Sequence, residues 1–174
     1  MFKMKKILLV GGALLLLAGC SKPAEPEFEQ NEDPIVEGFT MYIIGSHWNN
    51  WDTKTIKEAN PSCAFTYDEE TKLYVYDATI TEEMLTGWVG FKFISSNSWD
   101  SQYGMEDVDY SICNDTFKTM VGDKAQYKEG TGNRSNIVAT VKGTYHITYN
   151  PADFRSDTLD NGNTHSYKFG ITIE

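Results

Sequence analysis

Residues 88–94 read Trp-Val-Gly-Phe-Lys-Phe-Ile, so in an extended chain Val89, Phe91 and Phe93 fall on one side and Trp88, Gly90 and Lys92 on the other. An apolar set that recurs at every second residue is buried along one face only by a β-strand. The same period of two runs through residues 40–44, 73–78, 136–141, 145–149 and 167–173, and beyond residue 40 no stretch sustains a helical period. Asn60-Pro61, Gly122-Asp123, Gly130 to Asn133, Lys142-Gly143, Asn150-Pro151 and Asn161-Gly162 punctuate these runs with turn-forming residues. Short alternating segments at such spacing predict an all-β fold, an antiparallel β-sandwich. Tyr145, Ile147, Tyr149, Phe169, Ile171 and Ile173 then line the core. One helical piece is expected at 81–85, where Thr81 precedes Glu82 and Glu83 as a capped first turn would have it. Residues 104–132 show no clear pattern and are expected to form a long, partly ordered excursion.

The first 38 residues follow a different logic. Lys3, Lys5 and Lys6 precede an apolar run from Ile7 to Ala18, 12 residues long, which Gly19 and Cys20 close. That run is short of the ~20 residues needed to span a bilayer and matches the h-region of a secretory signal. Leu17-Ala18-Gly19-Cys20 resembles the lipobox of bacterial lipoproteins, where cleavage precedes the Cys and the thiol receives lipid. Three regions are therefore expected: a lipoprotein signal peptide at 1–19, a tether at 20–38 starting from lipidated Cys20, and a β-sandwich domain at 39–174. In the tether, Pro23, Pro26 and Pro34 stand among Glu25, Glu27, Glu29, Glu32, Asp33 and Glu37, with too little apolar surface to bury. Ser21 after the Cys favours sorting to the outer membrane, by analogy with lipoproteins generally.

Charge narrows the partners. The chain holds 25 acids against 15 bases, a net −10, and cleavage before Cys20 removes three lysines and no acid. A phosphate-binding face needs clustered Lys and Arg, so nucleic acid is excluded, as is an electrostatic grip on anionic lipid. Attachment would rest on acyl chains, at about 0.8 kcal/mol per buried CH₂.

Catalytic constellations are scarce. His47, His146 and His165 lack metal-ligand spacing, and no GxSxG or P-loop appears. Cys63 and Cys113 lie outside any CxxC; an exported location permits a disulfide between them, two buried free thiols being the other state. Glu106, Asp107, Asp109 and Asp115 lack the spacing of a calcium loop and read as a solvated acidic loop. No enzyme activity, metal or cofactor is expected.

The aromatic residues number 4 Trp, 10 Tyr and 9 Phe, and most Tyr and Phe sit at alternating strand positions that a core explains. Trp48 and Trp51 instead lie in the polar stretch Trp48-Asn49-Asn50-Trp51-Asp52, and Trp99 and Tyr103 flank Asp100-Ser101-Gln102. An exposed indole presents an apolar face on which the C–H face of a sugar can stack, while neighbouring amides and charges bond its hydroxyls. Trp48, Trp51, Trp99 and Tyr103 are the candidate platforms, with Asn50 and Lys92 as polar partners. The bland reading makes some of these tryptophans plugs that close the ends of the sandwich.

Met41-Tyr42-Ile43-Ile44-Gly45, Asn50-Trp51-Asp52, Phe91-Lys92-Phe93, Trp99, Tyr103-Gly104, Ser135-Asn136-Ile137 and Gly143 to Thr148 occur in an order that resembles one domain of the SusE/SusF-type starch-binding outer-membrane lipoproteins. The likeness spans most of residues 40–150. It implies an immunoglobulin-like β-sandwich carbohydrate-binding module, an aromatic pair curving around a glucan with a Lys bonding sugar hydroxyls, no catalysis, and a place beside a TonB-dependent glycan importer. The chain has room for one such domain where those lipoproteins carry several, and its 107–132 stretch is longer than theirs. The expected protein is a lipid-anchored glycan-binding module at the cell surface, for starch or a related polysaccharide. Two rivals stand beside it: a surface lipoprotein that binds other proteins, and a small glycan-active enzyme.

Overall fold

Two antiparallel sheets face each other, with the alternating aromatics between them. The structure, a computed structural model, describes residues 39–59, 61–96, 98–122, 134–153, 155–158 and 164–174. All of these belong to the second of the chain's two units, Asn31–Glu174. The signal peptide, Cys20, the tether and the turns expected at 130–133 and 161–162 lie outside the described residues.

The first sheet is built on β4 (Gly90–Ile94), which pairs along one edge with β1 (Tyr42–Gly45) and along the other with β5 (Gln102–Tyr103) and β6 (Ile137–Val138). The second sheet runs in the order β10 (Phe169–Ile173), β7 (Gly143–Tyr149), β3 (Leu73–Ile80), β2 (Thr66–Asp68). A separate hairpin joins β8 (Ser156–Thr158) to β9 (Thr164–Ser166). The predicted all-β sandwich is therefore the fold, and each expected strand is present within a few residues of its expected bounds. The short strands β2, β5, β8 and β9 carry too few residues to show a period and were not anticipated.

The core forms where alternation placed it. Phe91 and Phe93 of the first sheet and Tyr145, Ile147, Phe169 and Ile171 of the second are all fully buried. Phe93 stacks on Phe169 across the sandwich at 4.2 Å and 13° between planes, and Phe91 meets Tyr145 edge-on at 6.3 Å. Burial pushes the Tyr145 hydroxyl up to about 12 despite its hydrogen bond to the Val141 carbonyl at 2.7 Å.

Residues 104–122 depart from expectation. They are an ordered, packed connection: 3-10 turns at Met105–Asp107 and Tyr110–Ile112, then α2 (Asp115–Val121), which follows the short α1 (Ile56–Ala59) in the chain. Met105, Val108, Cys113, Phe117 and Val121 enter the core. Their irregular spacing reflects two 3-10 turns followed by a short helix, so no single period describes it. At 81–85 the structure has a 3-10 turn, Met84–Thr86, in place of an α-helix. Cys63 and Cys113 are both buried free thiols.

Candidate functional site

The chain leaves β1 through a two-residue loop closed by Gly45 N–H to Trp48 O (2.8 Å) and Trp48 N–H to Gly45 O (3.2 Å). Partners in such a bridge share a face. Trp48 therefore turns inward, where it is 8% exposed and packs edge-on against Phe91 at 5.4 Å. It is a core plug and offers no platform.

The next three residues reverse direction in the left-handed region: Asn49 at φ 52°, Asn50 at 44° and Trp51 at 62°. Asparagine adopts this conformation readily, whereas for a Trp it costs roughly 1–2 kcal/mol. Local bonds hold the turn. The Asn49 side chain donates to Asp52 O, Asp52 N–H donates to Asn49 O at 2.8 Å, and the Asp52 carboxylate accepts from Lys54 N–H and the Thr55 hydroxyl, both at 2.9 Å. Those last two donors hold the Asp52 carboxyl below the usual carboxylate range.

This turn brings Trp51 between two other indoles. Trp88, just before β4, lies over Gly90, where an added Cβ would come within 2.3 Å of the indole. Trp51 stacks on Trp88 with centroids 5.7 Å apart and planes at 25°. On its other side stands Trp99, at 6.2 Å and 34°. Trp99 opens a 3-10 turn, Trp99–Ser101, capped by Ser98, whose hydroxyl accepts from Asp100 N–H at 3.1 Å and donates to the Asp100 carboxylate at 2.7 Å. Trp88 is 48% exposed and Trp99 38%, and among the described residues the one other large hydrophobic this exposed is Ile112. Three indoles from three separate segments, Trp88 and Trp99 exposed and Trp51 half-buried, thus form one aromatic strip.

The polar partners divide. Asn50 is exposed at the edge of the strip, beside Trp51. Lys92 is 2% exposed, on the outer side of β4 but covered there, and its ammonium donates to Gln102 Oε1 at 3.1 Å. Burial pushes the Lys92 pKa down, Glu106 nearby opposes this, and Arg134 adds to it. Lys92 is thus covered and hydrogen-bonded within the first sheet, in contrast to the exposed, sugar-bonding ammonium expected from the sequence. Tyr103 pairs with Phe93 and so faces inward, with its ring against Phe169 at 5.6 Å and Tyr149 at 6.0 Å.

Of the expected platform residues, then, Trp51 and Trp99 come together, Trp48 belongs to the core and Tyr103 packs half-buried against it. Trp88 joins them unforeseen, although alternation had already placed it on the outer side of its strand.

Of the four acids expected in a solvated loop, Asp115 at the start of α2 is exposed and the other three are not. Glu106, Asp107 and Asp109 are buried. Glu106 accepts from Ser135 N–H at 2.8 Å, Asp107 accepts from Gly104 N–H at 2.9 Å and the Ser166 hydroxyl at 2.6 Å and forms an ion pair with Arg134 at 2.9 Å, and Asp109 accepts from Arg155 at 2.7 Å. Burying carboxylates demands such partners, and here they staple residues 104–112 to β9 and to the start of β6. Among the described residues no group of three or more His, Cys, Asp and Glu side chains is placed to hold a metal. His146 is exposed on β7 and pairs with Asp77 at 2.6 Å.

Comparison with known proteins bears on the N-terminus alone. No curated protein and no solved structure matches the chain. The likeness to the SusE/SusF lipoproteins thus has no counterpart there and stands on the residues quoted for it. Residues 4–21 match the prokaryotic membrane lipoprotein lipid attachment site, which includes Cys20 and marks the chain as a membrane-anchored lipoprotein.

Proposed function

We propose that this lipoprotein is a non-catalytic glycan-binding protein of the outer membrane, displayed at the cell surface, with Trp51, Trp88 and Trp99 as its sugar platform. The observation that carries this reading is the strip itself. Water-exposed indoles cost free energy that a stacked pyranose relieves, and a left-handed Trp51 is the kind of local strain that collects at functional sites. Asn50 and Asp100 supply polar groups at its edge. Asp52, the carboxylate nearest Trp51 in sequence, is tied into its own turn and kept ionised, which suits it poorly to general acid catalysis. The ligand is starch or a related polysaccharide, and the role is capture for a TonB-dependent importer. A single strip of this size corresponds to a Kd of roughly 1 mM to 1 μM, raised in effect by many copies on one surface.

Affinity electrophoresis of the mature domain against a panel of polysaccharides tests the proposal. Retardation by at least one glycan, lost in Trp99→Ala, is the expected result. No retardation by any of them, together with capture of a stoichiometric protein partner that Trp99→Ala abolishes, would make the strip a protein-docking site and overturn the glycan reading.

A further inference from the structure

Beneath the strip, the geometry points to the Lys92–Gln102 pair as a positioning device that fixes Trp99 in register with Trp51. With the biological meaning resting on the glycan reading, a buried lysine and a half-buried glutamine together support the platform. Lys92 and Gln102 lie on the same side of the first sheet, because Gln102 is the partner of Ile94 and Lys92 is two residues before it. The Lys92 ammonium donates to Gln102 Oε1 at 3.1 Å, and Gln102 Nε2 donates to the Trp99 carbonyl at 3.0 Å.

The chemistry of the three groups allows one arrangement. An ammonium only donates and a backbone carbonyl only accepts, whereas a glutamine amide does either, according to which way it is turned. Lys92 draws the oxygen of Gln102 toward itself, so the NH₂ must face Trp99. Turned the other way, the amide would set its oxygen against the Trp99 carbonyl and its NH₂ against the ammonium, losing both bonds at once. A buried cation thereby sets the orientation of an amide, and the amide ties down the backbone of the residue that carries the platform.

The base of the same loop is already closed by the β4–β5 pairing and by Ser95 N–H to Ser101 O at 3.1 Å, and Ser98 caps the turn. None of these touches the Trp99 carbonyl. Among the described residues Gln102 is the side chain that does, which gives a lysine kept almost fully buried at position 92 a role although burial disfavours its charge.

Gln102→Glu separates positioning from folding. Its carboxylate keeps a partner for Lys92 but has no N–H for the Trp99 carbonyl. Lys92→Met removes the orienting charge and is the second variant. Two readouts are taken on the mature domain without ligand: melting temperature, and the exciton signal of the coupled indoles in circular dichroism, with Trp99→Phe defining the signal that remains when Trp99 contributes nothing.

The expected result is a Gln102→Glu melting temperature within about 3 °C of the parent, with the exciton signal reduced toward the Trp99→Phe level and any polysaccharide retardation weakened about tenfold, the loss of one aromatic contact. Lys92→Met should lower the exciton signal likewise. Parent-like exciton signals in both variants would overturn the inference even if glycan binding were confirmed. A parent that binds no glycan would overturn the proposed function and leave the exciton result standing by itself.

Discussion

Trp48 and Trp51 are three residues apart and meet opposite fates, because the backbone between them passes through the left-handed region. The bridge to Gly45 turns Trp48 into the core, and the reversal at Asn49, Asn50 and Trp51 turns the next indole out toward Trp88 and Trp99. Both lie in the same polar pentapeptide, so composition could not separate plug from platform. Alanine substitution does. Trp48→Ala should cost about 3–5 kcal/mol in chemical denaturation, as large buried side chains do, whereas Trp99→Ala should leave stability within about 1 kcal/mol of the parent while abolishing polysaccharide retardation. The backbone cost at position 51 is testable in isolation. Both Trp51→Gly and Trp51→Ala remove the ring, but glycine adopts a positive φ freely, so the Gly variant should be the more stable by about 1 kcal/mol.

Among the elements, β10 shows best what alternation reveals and what it conceals. Its inward residues Phe169, Ile171 and Ile173 were legible from a period of two, and its pairing with β7 follows from the need to bury them. Its free edge was not legible. An unpaired edge invites association with other chains, and here residues 108–114 cover it. Asp109 N–H bonds Phe169 O at 2.7 Å, Cys113 Sγ accepts from Ile171 N–H at 3.3 Å, and the Asn114 amide bonds both Ile173 N–H (3.2 Å) and Ile173 O (2.9 Å). The same Asn114 oxygen caps α2 by accepting from Phe117 N–H at 3.1 Å. One side chain thus substitutes for a strand and starts a helix. Asn114→Ala should therefore cost about 1–3 kcal/mol, more than a helix cap alone, and Asn114→Asp, which keeps the acceptor and loses the donor, should fall between it and the parent in urea denaturation.

At the level of the whole molecule, two things set behaviour: a lipid at one end and buried carboxylates that tie the connecting segments to the sandwich. Cys20→Ala should shift the protein from the membrane to the soluble fraction. Burial raises the Asp109 pKa, but the Ser111 hydroxyl and N–H and the Arg155 guanidinium outweigh it and hold the carboxyl below its usual value. A depressed carboxylate adds stability above its unfolded pKa, and that contribution disappears as pH falls through the folded one. Asp109→Asn should accordingly melt below the parent near neutral pH, with the gap closing only as pH falls through the ordinary carboxylate value of ~4 and below it in a thermal series. The sequence by itself determined the all-β class, the inward faces of the main strands and the lipid attachment site, because each is written in a local period or a short contiguous motif. Only the tertiary structure decided that Trp51, Trp88 and Trp99 meet while Trp48 is buried and Tyr103 packs half-buried against the core, that Glu106, Asp107 and Asp109 are sealed in, and that Lys92 is covered. Those outcomes depend on the register of β1 and β5 against β4, on the space left over Gly90 and on a left-handed turn. The strand registers join segments distant in the chain, and the turn and the Trp88–Gly90 contact are conformations of single residues, so none of these is written in a repeating local pattern.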